Sequence, residues 1–325
     1  MKKKWGRCFL YAAPDEDAVK QVSKYNIGGY ILFGRDFDGK TKDEVVDDIH
    51  SYQNEADIPL LIGVDEEGGT VVRVSSNPNL RETPFLSPKD TYADGGWDAV
   101  KQDAEEKADL LLSLGINVNL APVCDMTSDE YGFMYDRSFS SDVDMENRYV
   151  RTVVETSKSK KLGTVLKHFP GYGNNSDTHT GIAYDDRDYS EFENTDFKPF
   201  HQGIESGADC ILVSHNIVNC MDSEYPASLS QKVHDILRNE FKFDGVIMTD
   251  DLIMDAITDF TGDEAAAVTA AKCGNDLLCC SSVDTQYPAV LEAVQNGEIS
   301  KAQVDASVKR ILKWKQNLGI FNIDT

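Results

Sequence analysis

The feature that most limits how this chain can fold is a short, continuous apolar run followed by a helical stretch, repeated along the sequence. A run that does not alternate with polar residues is typical of a strand covered on both faces, as in a parallel sheet. The runs occupy residues 7–12, 29–33, 60–64, 118–123, 164–168, 210–214, 245–249 and 276–280. Eight strands alternating with helices favour a closed (β/α)8 barrel of the TIM type over an open sheet. We expect residues 1–325 to form one such α/β domain.

Helix ends are marked between the runs. Thr41 with Glu44, and Ser300 with Gln303, have the spacing of a helix N-cap and a residue that reaches back to it. Gly115 follows an amphipathic stretch and is predicted to end that helix. These signals divide the chain into alternating strands and helices without a linker or low-complexity segment.

Polar residues and long loops follow the apolar runs. Three poorly patterned stretches, 75–97, 126–142 and 171–191, come after runs, and loops in this position form the catalytic face of a barrel. The polar residues that end the runs are Asp65, Asp125, Lys167, His168, Ser214, His215, Asp250 and Asp251. We therefore expect these side chains to meet at the mouth of the barrel.

Composition narrows the classes of partner. The formal net charge of −24 would repel a phosphate backbone, so we expect no binding to nucleic acid. No apolar run approaches the roughly 20 residues that span a bilayer, so no transmembrane segment is predicted. The seven cysteines have no metal-site spacing and mostly lie in apolar runs, which indicates core residues.

The start of the chain bears on its compartment. A basic cluster and a short apolar run at the N-terminus fit a first strand better than a signal segment. We expect a cytoplasmic location, or an exported or surface-attached one if a signal segment precedes this sequence.

Two motifs carry the most specific functional signal. Lys-His-Phe-Pro-Gly-Tyr-Gly at 167–173 is followed by Asp177 and His179, and Thr-Asp-Asp-Leu-Ile-Met occupies 249–254. Val-Asp-Glu-Glu-Gly-Gly at 64–69 with Arg73, Ala-Pro-Val-Cys-Asp at 121–125 and Arg-Ser-Phe-Ser at 137–140 add to them. On these residues the chain resembles glycoside hydrolase family 3, and within it the bacterial β-N-acetylglucosaminidase (β-hexosaminidase) branch. The resemblance covers nearly the whole chain.

The resemblance implies a retaining glycosidase that removes a terminal β-linked N-acetylglucosamine. Asp250 would attack the anomeric carbon and form a covalent glycosyl-enzyme. His179 would protonate the leaving oxygen and then deprotonate water, while Asp177 would orient and charge-stabilise its imidazole. An unperturbed imidazole pKa near 6.5 suits such proton transfer at neutral pH.

The remaining implied roles concern substrate binding. Asp65, Arg73, Arg137, Lys167 and His168 would hold the hydroxyls of a small carbohydrate, an N-acetylglucosamine-terminated glycoside. No metal and no cofactor is implied. The aglycone stays open between an anhydro-muropeptide, a chitin fragment and a glycoconjugate.

The sequence departs from the family pattern in three places. Tyr172 stands where the usual motif has histidine, the stretch 173–177 is one residue shorter than expected, and Thr70 follows Gly69 where arginine is usual. Tyr172 and the shorter stretch lie beside the predicted acid/base.

Several alternative functions fit the same residues. A β-N-acetylglucosaminide phosphorylase would use phosphate in place of water, because a histidine acid/base does not repel that anion. A family 3 β-glucosidase would share the nucleophile. A non-catalytic sugar-binding barrel would be expected to lack Asp250, Asp177 or His179. An aldolase-like barrel would use Lys167 for a Schiff base, although the adjoining histidine argues against it.

Overall fold

The computed structural model of this chain describes residues 6–12, 14, 17–175, 181–261 and 263–322. Ten strands are present in this part. They are β1 (Phe9–Ala12), β2 (Gly29–Leu32), β3 (Leu61–Val64), β4 (Val118–Asn119), β5 (Gly163–Phe169), β6 (Tyr184–Asp185), β7 (Cys210–Val213), β8 (Ile217–Val218), β9 (Val246–Thr249) and β10 (Leu278–Cys280). Eight of them form one parallel sheet in the order β10-β1-β2-β3-β4-β5-β7-β9.

Helices follow the strands. They are α1 (Ala18–Tyr25), α2 (Lys42–Glu55), α3 (Pro88–Ser113), α4 (Val143–Ser159), α5 (Tyr189–Asn194), α6 (Phe197–Ser206), α7 (Gln231–Asp235), α8 (Asp255–Thr261), α9 (Asp263–Cys273), α10 (Val283–Gln295) and α11 (Lys301–Asn317). A π-helical stretch, Ile236–Glu240, continues α7. Every residue of the eight sheet strands is buried, as the continuous apolar runs predicted.

The two ends of the sheet meet and close a barrel. Main-chain hydrogen bonds join Asp276 N to Ile247 O at 2.8 Å and Thr249 N to Leu277 O at 3.2 Å. Two further bonds use side chains, because Asp276 Oδ2 accepts from Ile247 N and Thr249 Oγ1 accepts from Cys279 N. The predicted (β/α)8 barrel is confirmed.

The predicted helix starts are also present. The Thr41 side chain accepts a hydrogen bond from Glu44 N, and the Glu44 carboxylate accepts from Thr41 N at 2.8 Å. Ser300 caps α11 through Gln303 N. Gly115 follows α3 with a φ of +88°, a conformation that favours glycine.

Two predicted boundaries are wrong. The stretch 75–97 was expected to be a loop, but α3 begins at Pro88, where Ser87 is the N-cap. Gly95 and Gly96 kink this helix, and Gly96 has a φ of +64°. The run 118–123 forms a regular ladder only over Val118–Asn119, because Pro122 has no N–H to donate; beyond it, pairing with β5 resumes as a single bridge at Val123.

A small second sheet lies above the mouth. Strands β6 and β8 belong to the connections that follow β5 and β7, and they pair in parallel through Tyr184 with Ile217 and Asp185 with Val218. This pairing ties together two neighbouring loops that follow the carboxyl ends of the strands.

Two bulk predictions bear on the rest of the molecule. All seven cysteines carry free thiols and all except Cys220 are buried, so six of them are core residues as predicted. Within the described part of the chain, no helix is long and apolar enough to cross a bilayer.

Candidate active site

A cavity of about 790 Å3 opens at the carboxyl ends of the barrel strands. This volume is within the range of ligand pockets. Six of the predicted site residues line it together: Asp65, Arg73, Arg137, Lys167, His168 and Asp250. The structure thus brings together side chains from the ends of β3, β5 and β9 and from two connecting loops.

Lys167 lies between two carboxylates at the end of β5. Its Nζ is 2.5 Å from Asp65 Oδ1 and 2.6 Å from Glu67 Oε1, and its side chain is 3% exposed. Burial alone would lower the pKa of Lys167, but the two carboxylates outweigh it and raise that pKa. Lys167 is therefore a fixed cation with two anionic partners, not the neutral amine that a Schiff-base mechanism needs.

Glu67 joins Lys167 to Arg137. Arg137 donates to both oxygens of Glu67, at 2.9 Å from Nε and 2.7 Å from Nη2. Burial would raise the pKa of Glu67, but the charges of Lys167 and Arg137 hold it well below its usual value. The bidentate geometry fixes the plane of the Arg137 guanidinium on the cavity wall.

His168 is oriented from behind by Asp125. His168 Nδ1 lies 2.7 Å from Asp125 Oδ2, and the same oxygen accepts from His168 N at 2.9 Å. The other ring nitrogen lies 3.3 Å from Arg137 Nη2. Because arginine can only donate hydrogen bonds, Nε2 of His168 accepts one from Arg137. Nδ1 therefore carries the hydrogen and donates a hydrogen bond to Asp125. Asp125 also accepts from Tyr172 N, so one buried carboxylate positions two wall residues.

Arg73 belongs to a loop that has no regular secondary structure and is held in place by Glu66. The buried Glu66 carboxylate accepts from the main-chain N–H groups of Arg73, Val74 and Ser75 at 2.7–3.2 Å. The Arg73 guanidinium lines the cavity 6.0 Å from the centre of the Phe33 ring, and its buried Nε has no hydrogen-bond partner. An unsatisfied buried donor in a cavity wall suits a ligand oxygen.

Asp250 and Asp251 have different surroundings, although both line the cavity. Asp251 accepts from Ile253 N and from the hydroxyl of Ser281, and burial raises its pKa. Those bonds hold the turn that leads into α8. Asp250 continues the strand through its N–H to Val213 O at 3.2 Å, and its Oδ1 accepts from Asp251 N. Asp251 thus supports the turn that presents Asp250.

Asp177 and His179 lie outside the described residues. The turn before them is fixed by Gly173, which has a φ of +54°, and a Cβ there would come 2.7 Å from Arg187 Cζ. Arg187 follows the same stretch in sequence and donates to Gly171 O at 3.2 Å. The described residues on the two sides of 176–180 are therefore in contact with each other.

Sequence reasoning did not single out Glu67, the centre of the polar network. Its partners are 70 and 100 residues away in sequence, so spacing alone gives no signal. Among the described residues, no group of three or more His, Cys, Asp or Glu side chains is arranged to hold a metal ion.

Comparison with known proteins identifies the family and the fold. The model of the glycosyl hydrolase family 3 N-terminal domain matches residues 3–314. The chain belongs to glycoside hydrolase family 3. A β-hexosaminidase of Nitrosomonas eutropha is 32% identical to this family 3 member over 273 residues, which are 82% of this chain and 77% of the relative.

Solved structures agree with this assignment. A glycoside hydrolase family 3 β-N-acetylglucosaminidase from Paenibacillus sp. str. FPU-7 superposes with a TM-score of 0.93 at 28% identity, over 100% of this chain and 64% of that one. A glycosyl hydrolase of family 3 from Mycobacterium smegmatis gives 0.87 at 26% identity, over 99% and 97%. This chain thus spans slightly less than two thirds of the Paenibacillus protein. The predicted family is confirmed, and the protein is a glycoside hydrolase.

Proposed function

We propose that this glycoside hydrolase is a retaining exo-β-N-acetylglucosaminidase. The observation that carries the proposal is the position of Asp250 on the wall of a cavity in which buried carboxylates fix Lys167, Arg137 and His168. The names of the similar proteins, β-hexosaminidase and β-N-acetylglucosaminidase, agree with it.

The reaction takes place in two steps. A carboxylate oxygen of Asp250 attacks the anomeric carbon, the bond to the leaving oxygen breaks, and His179 gives that oxygen a proton. In the second step His179 takes a proton from water, the water oxygen attacks the same carbon, and the bond to Asp250 breaks. Two inversions give net retention of configuration.

The polar network holds the sugar while these bonds change. Lys167 and Arg137 present donors whose positions are fixed by Glu67, and Asp65 presents an acceptor fixed by Lys167. Donors and acceptors that need no reorganisation on binding orient a polyol efficiently. The unsatisfied Nε of Arg73 adds a donor on another part of the wall.

A substrate panel tests the proposal. With 4-nitrophenyl β-glycosides, we expect the N-acetylglucosaminide to be cleaved far better than the glucoside, with β-anomeric product formed first. Equal or faster cleavage of the glucoside would favour a family 3 β-glucosidase. Addition of inorganic phosphate should leave the product as free N-acetylglucosamine; a sugar 1-phosphate would identify a phosphorylase.

Covalent labelling tests the nucleophile. A mechanism-based fluoro-sugar should slow the second step and leave a glycosyl group on the peptide that contains Asp250. Labelling of Asp251 would assign the nucleophile to the wrong member of the pair. Labelling of neither would remove the covalent mechanism.

A further inference from the structure

A second, open depression of about 380 Å3 adjoins the main cavity. The two share Tyr172, whose ring packs edge-on against His168 at 5.3 Å between centroids. The depression is also lined by Asn174, Asn175, Tyr184 and Asp186. The depression therefore lies at the edge of the main cavity.

The depression lies where the leaving group of the substrate is expected, beside the stretch that contains the predicted general acid. Asn174 and Asn175 directly precede the stretch 176–180, and Tyr184 and Asp186 follow it closely, so residues on both sides of this stretch line the depression. The predicted general acid His179 belongs to this stretch. Because a general acid must reach the leaving oxygen, the leaving group has to lie beside the loop that carries the acid.

The side chains of the depression suit a second sugar ring. The Tyr184 side chain is an aromatic surface in solvent, since the residue is 57% exposed. Aromatic rings of this kind pack against the C–H face of a pyranose, and the two asparagine amides supply donors and acceptors for hydroxyls. The size fits one further saccharide unit.

The charge of the depression favours some sugars over others. Arg187 is the only cation among the described residues that line it, and Asp185 and Asp196 hold that guanidinium at 2.8 and 2.9 Å. Asp186 is exposed, and its Oδ1 accepts from the neutral amide of Asn219. Among the described lining residues, an anionic leaving group would therefore meet exposed carboxylate charge and no cation that lacks a carboxylate partner.

We propose that this depression is the leaving-group subsite and that it takes a neutral or cationic sugar residue in preference to one that carries a carboxylate. The proposal rests on the proposed glycosidase function and narrows its substrate to N-acetylglucosamine linked to another neutral or amino sugar, as in a chitin-type oligosaccharide. Tyr184 supplies the stacking surface and Asp186 supplies the charge discrimination.

The first experiment measures kcat/KM for two substrates of the Tyr184→Ala variant. N,N′-diacetylchitobiose places a sugar in the depression, whereas β-N-acetylglucosaminyl azide has a leaving group too small to reach Tyr184. We expect a five- to tenfold loss for the disaccharide and less than a twofold change for the azide. Tyr184→Phe keeps the ring and should restore the disaccharide rate.

Tyr131→Ala is the matched control. Tyr131 is 98% exposed on the preceding loop and lines neither cavity, so its removal should change neither rate. Equal loss for both substrates in Tyr184→Ala, or no loss for the disaccharide, would overturn the stacking role.

The second experiment tests charge with three matched disaccharides. N-acetylglucosamine is linked β-1,4 to N-acetylglucosamine, to glucosamine or to N-acetylmuramic acid, which are neutral, cationic and anionic. We expect the anionic substrate to have a kcat/KM at least tenfold below the neutral one. Asp186→Asn should raise the anionic rate about threefold and lower the cationic one, with smaller changes in high salt.

Glu155→Gln provides the same charge change elsewhere. Glu155 is exposed in the second half of α4, the part of the helix that leads away from the mouth, so this variant should not alter the ratio of rates. A wild-type preference for the anionic disaccharide would overturn the proposal. Inactivity toward the azide and all three disaccharides would instead remove the glycosidase function on which it rests.

Discussion

Two networks of buried charges lie at opposite ends of the barrel. At the mouth, Glu67 and Asp65 hold Lys167 and Arg137 around a cavity of about 790 Å3. At the other end, Asp276 accepts from Arg238 at 2.5 Å and from Arg310 at 3.0 Å. A void of about 10 Å3 beside the second network has room for about one water molecule.

The two networks show that buried ion pairs can serve different purposes, depending on where they lie in the barrel. Both networks contain a carboxylate that is 3% exposed or less and two cations, so buried charge by itself does not distinguish them. Asp276 also accepts from Ser307 Oγ and Ile247 N and thereby ties α11 to β9. Of the two, only the network at the carboxyl ends of the strands adjoins a cavity large enough for a ligand. Its position in the barrel, together with the cavity, indicates function.

The largest effect on activity is expected for Asp250, the proposed nucleophile on the cavity wall. Asp250→Asn should lower kcat by about three orders of magnitude or more, because the amide cannot replace a covalent nucleophile. The thermal midpoint should change little. Steady-state kinetics with a 4-nitrophenyl substrate measures this, and Asp251→Asn is the matched control, with a much smaller loss. A larger loss in Asp251→Asn would exchange their roles.

Glu67→Gln should affect both activity and stability. The amide leaves Lys167 and Arg137 undercompensated, so we expect kcat/KM to fall about 100-fold and the free energy of unfolding by about 3 kcal/mol.

The pH dependence of that loss has a definite sign. The folded pKa of Glu67 is lowered from 4.5, so its contribution is complete above that unfolded value and is lost as the pH falls toward the folded pKa. The stability gap between wild type and Glu67→Gln should therefore narrow below about pH 4.5 in urea titrations. A gap independent of pH would contradict the ion-pair explanation.

Asp276→Asn should reduce stability without changing the chemistry. Breaking this buried cluster is expected to lower the free energy of unfolding by about 2–3 kcal/mol, while kcat and KM of the folded enzyme stay within twofold of wild type. Urea denaturation and kinetics on the same preparation measure both. A selective loss of kcat at full occupancy of the native state would show that the far end of the barrel participates in catalysis.

The smallest effect is expected at Lys315. This residue is 1% exposed, and its Nζ donates to Gly28 O at 2.9 Å. Burial, with repulsion from Arg7, lowers its pKa from 10.5 to about 7. We expect Lys315→Met to stabilise the protein by about 1 kcal/mol at pH 6, since the lost hydrogen bond offsets part of the gain.

The pH dependence provides the check. Between about pH 7 and 10.5 the unfolded chain binds more protons than the native one, so wild-type stability should rise with pH. Lys315→Met should lack this rise, so its advantage at pH 6 should shrink and then reverse across the same range. A difference in the free energy of unfolding that does not change with pH would show that Lys315 is protonated in both the folded and the unfolded chain.

The architecture was predictable because it depends on local patterns. Eight continuous apolar runs gave eight buried strands, and the pairs Thr41–Glu44 and Ser300–Gln303 marked real helix starts. The helix start at Pro88 was missed because the paired glycines Gly95 and Gly96 are typical of a loop, whereas here they kink a helix.

The site was predictable only in part. Six residues assigned by motif do line one cavity, because motif positions follow the ends of strands. Glu67 and the support that Asp125 gives His168 depend on contacts between segments more than 40 residues apart, which no local pattern encodes. Asp177 and His179 stay predictions.

The joint that closes the barrel has a consequence for motion. Asp250 directly follows β9, and two of the hydrogen bonds at the joint between β9 and the last strand use side chains, those of Asp276 and Thr249. Strands β2 and β3, by contrast, are joined by a regular main-chain ladder over four residue pairs. We therefore expect local opening of the barrel to begin at this joint. Amide hydrogen exchange there should be faster than between β2 and β3. Each opening would displace the nucleophile, so heat inactivation should begin before the rest of the barrel unfolds.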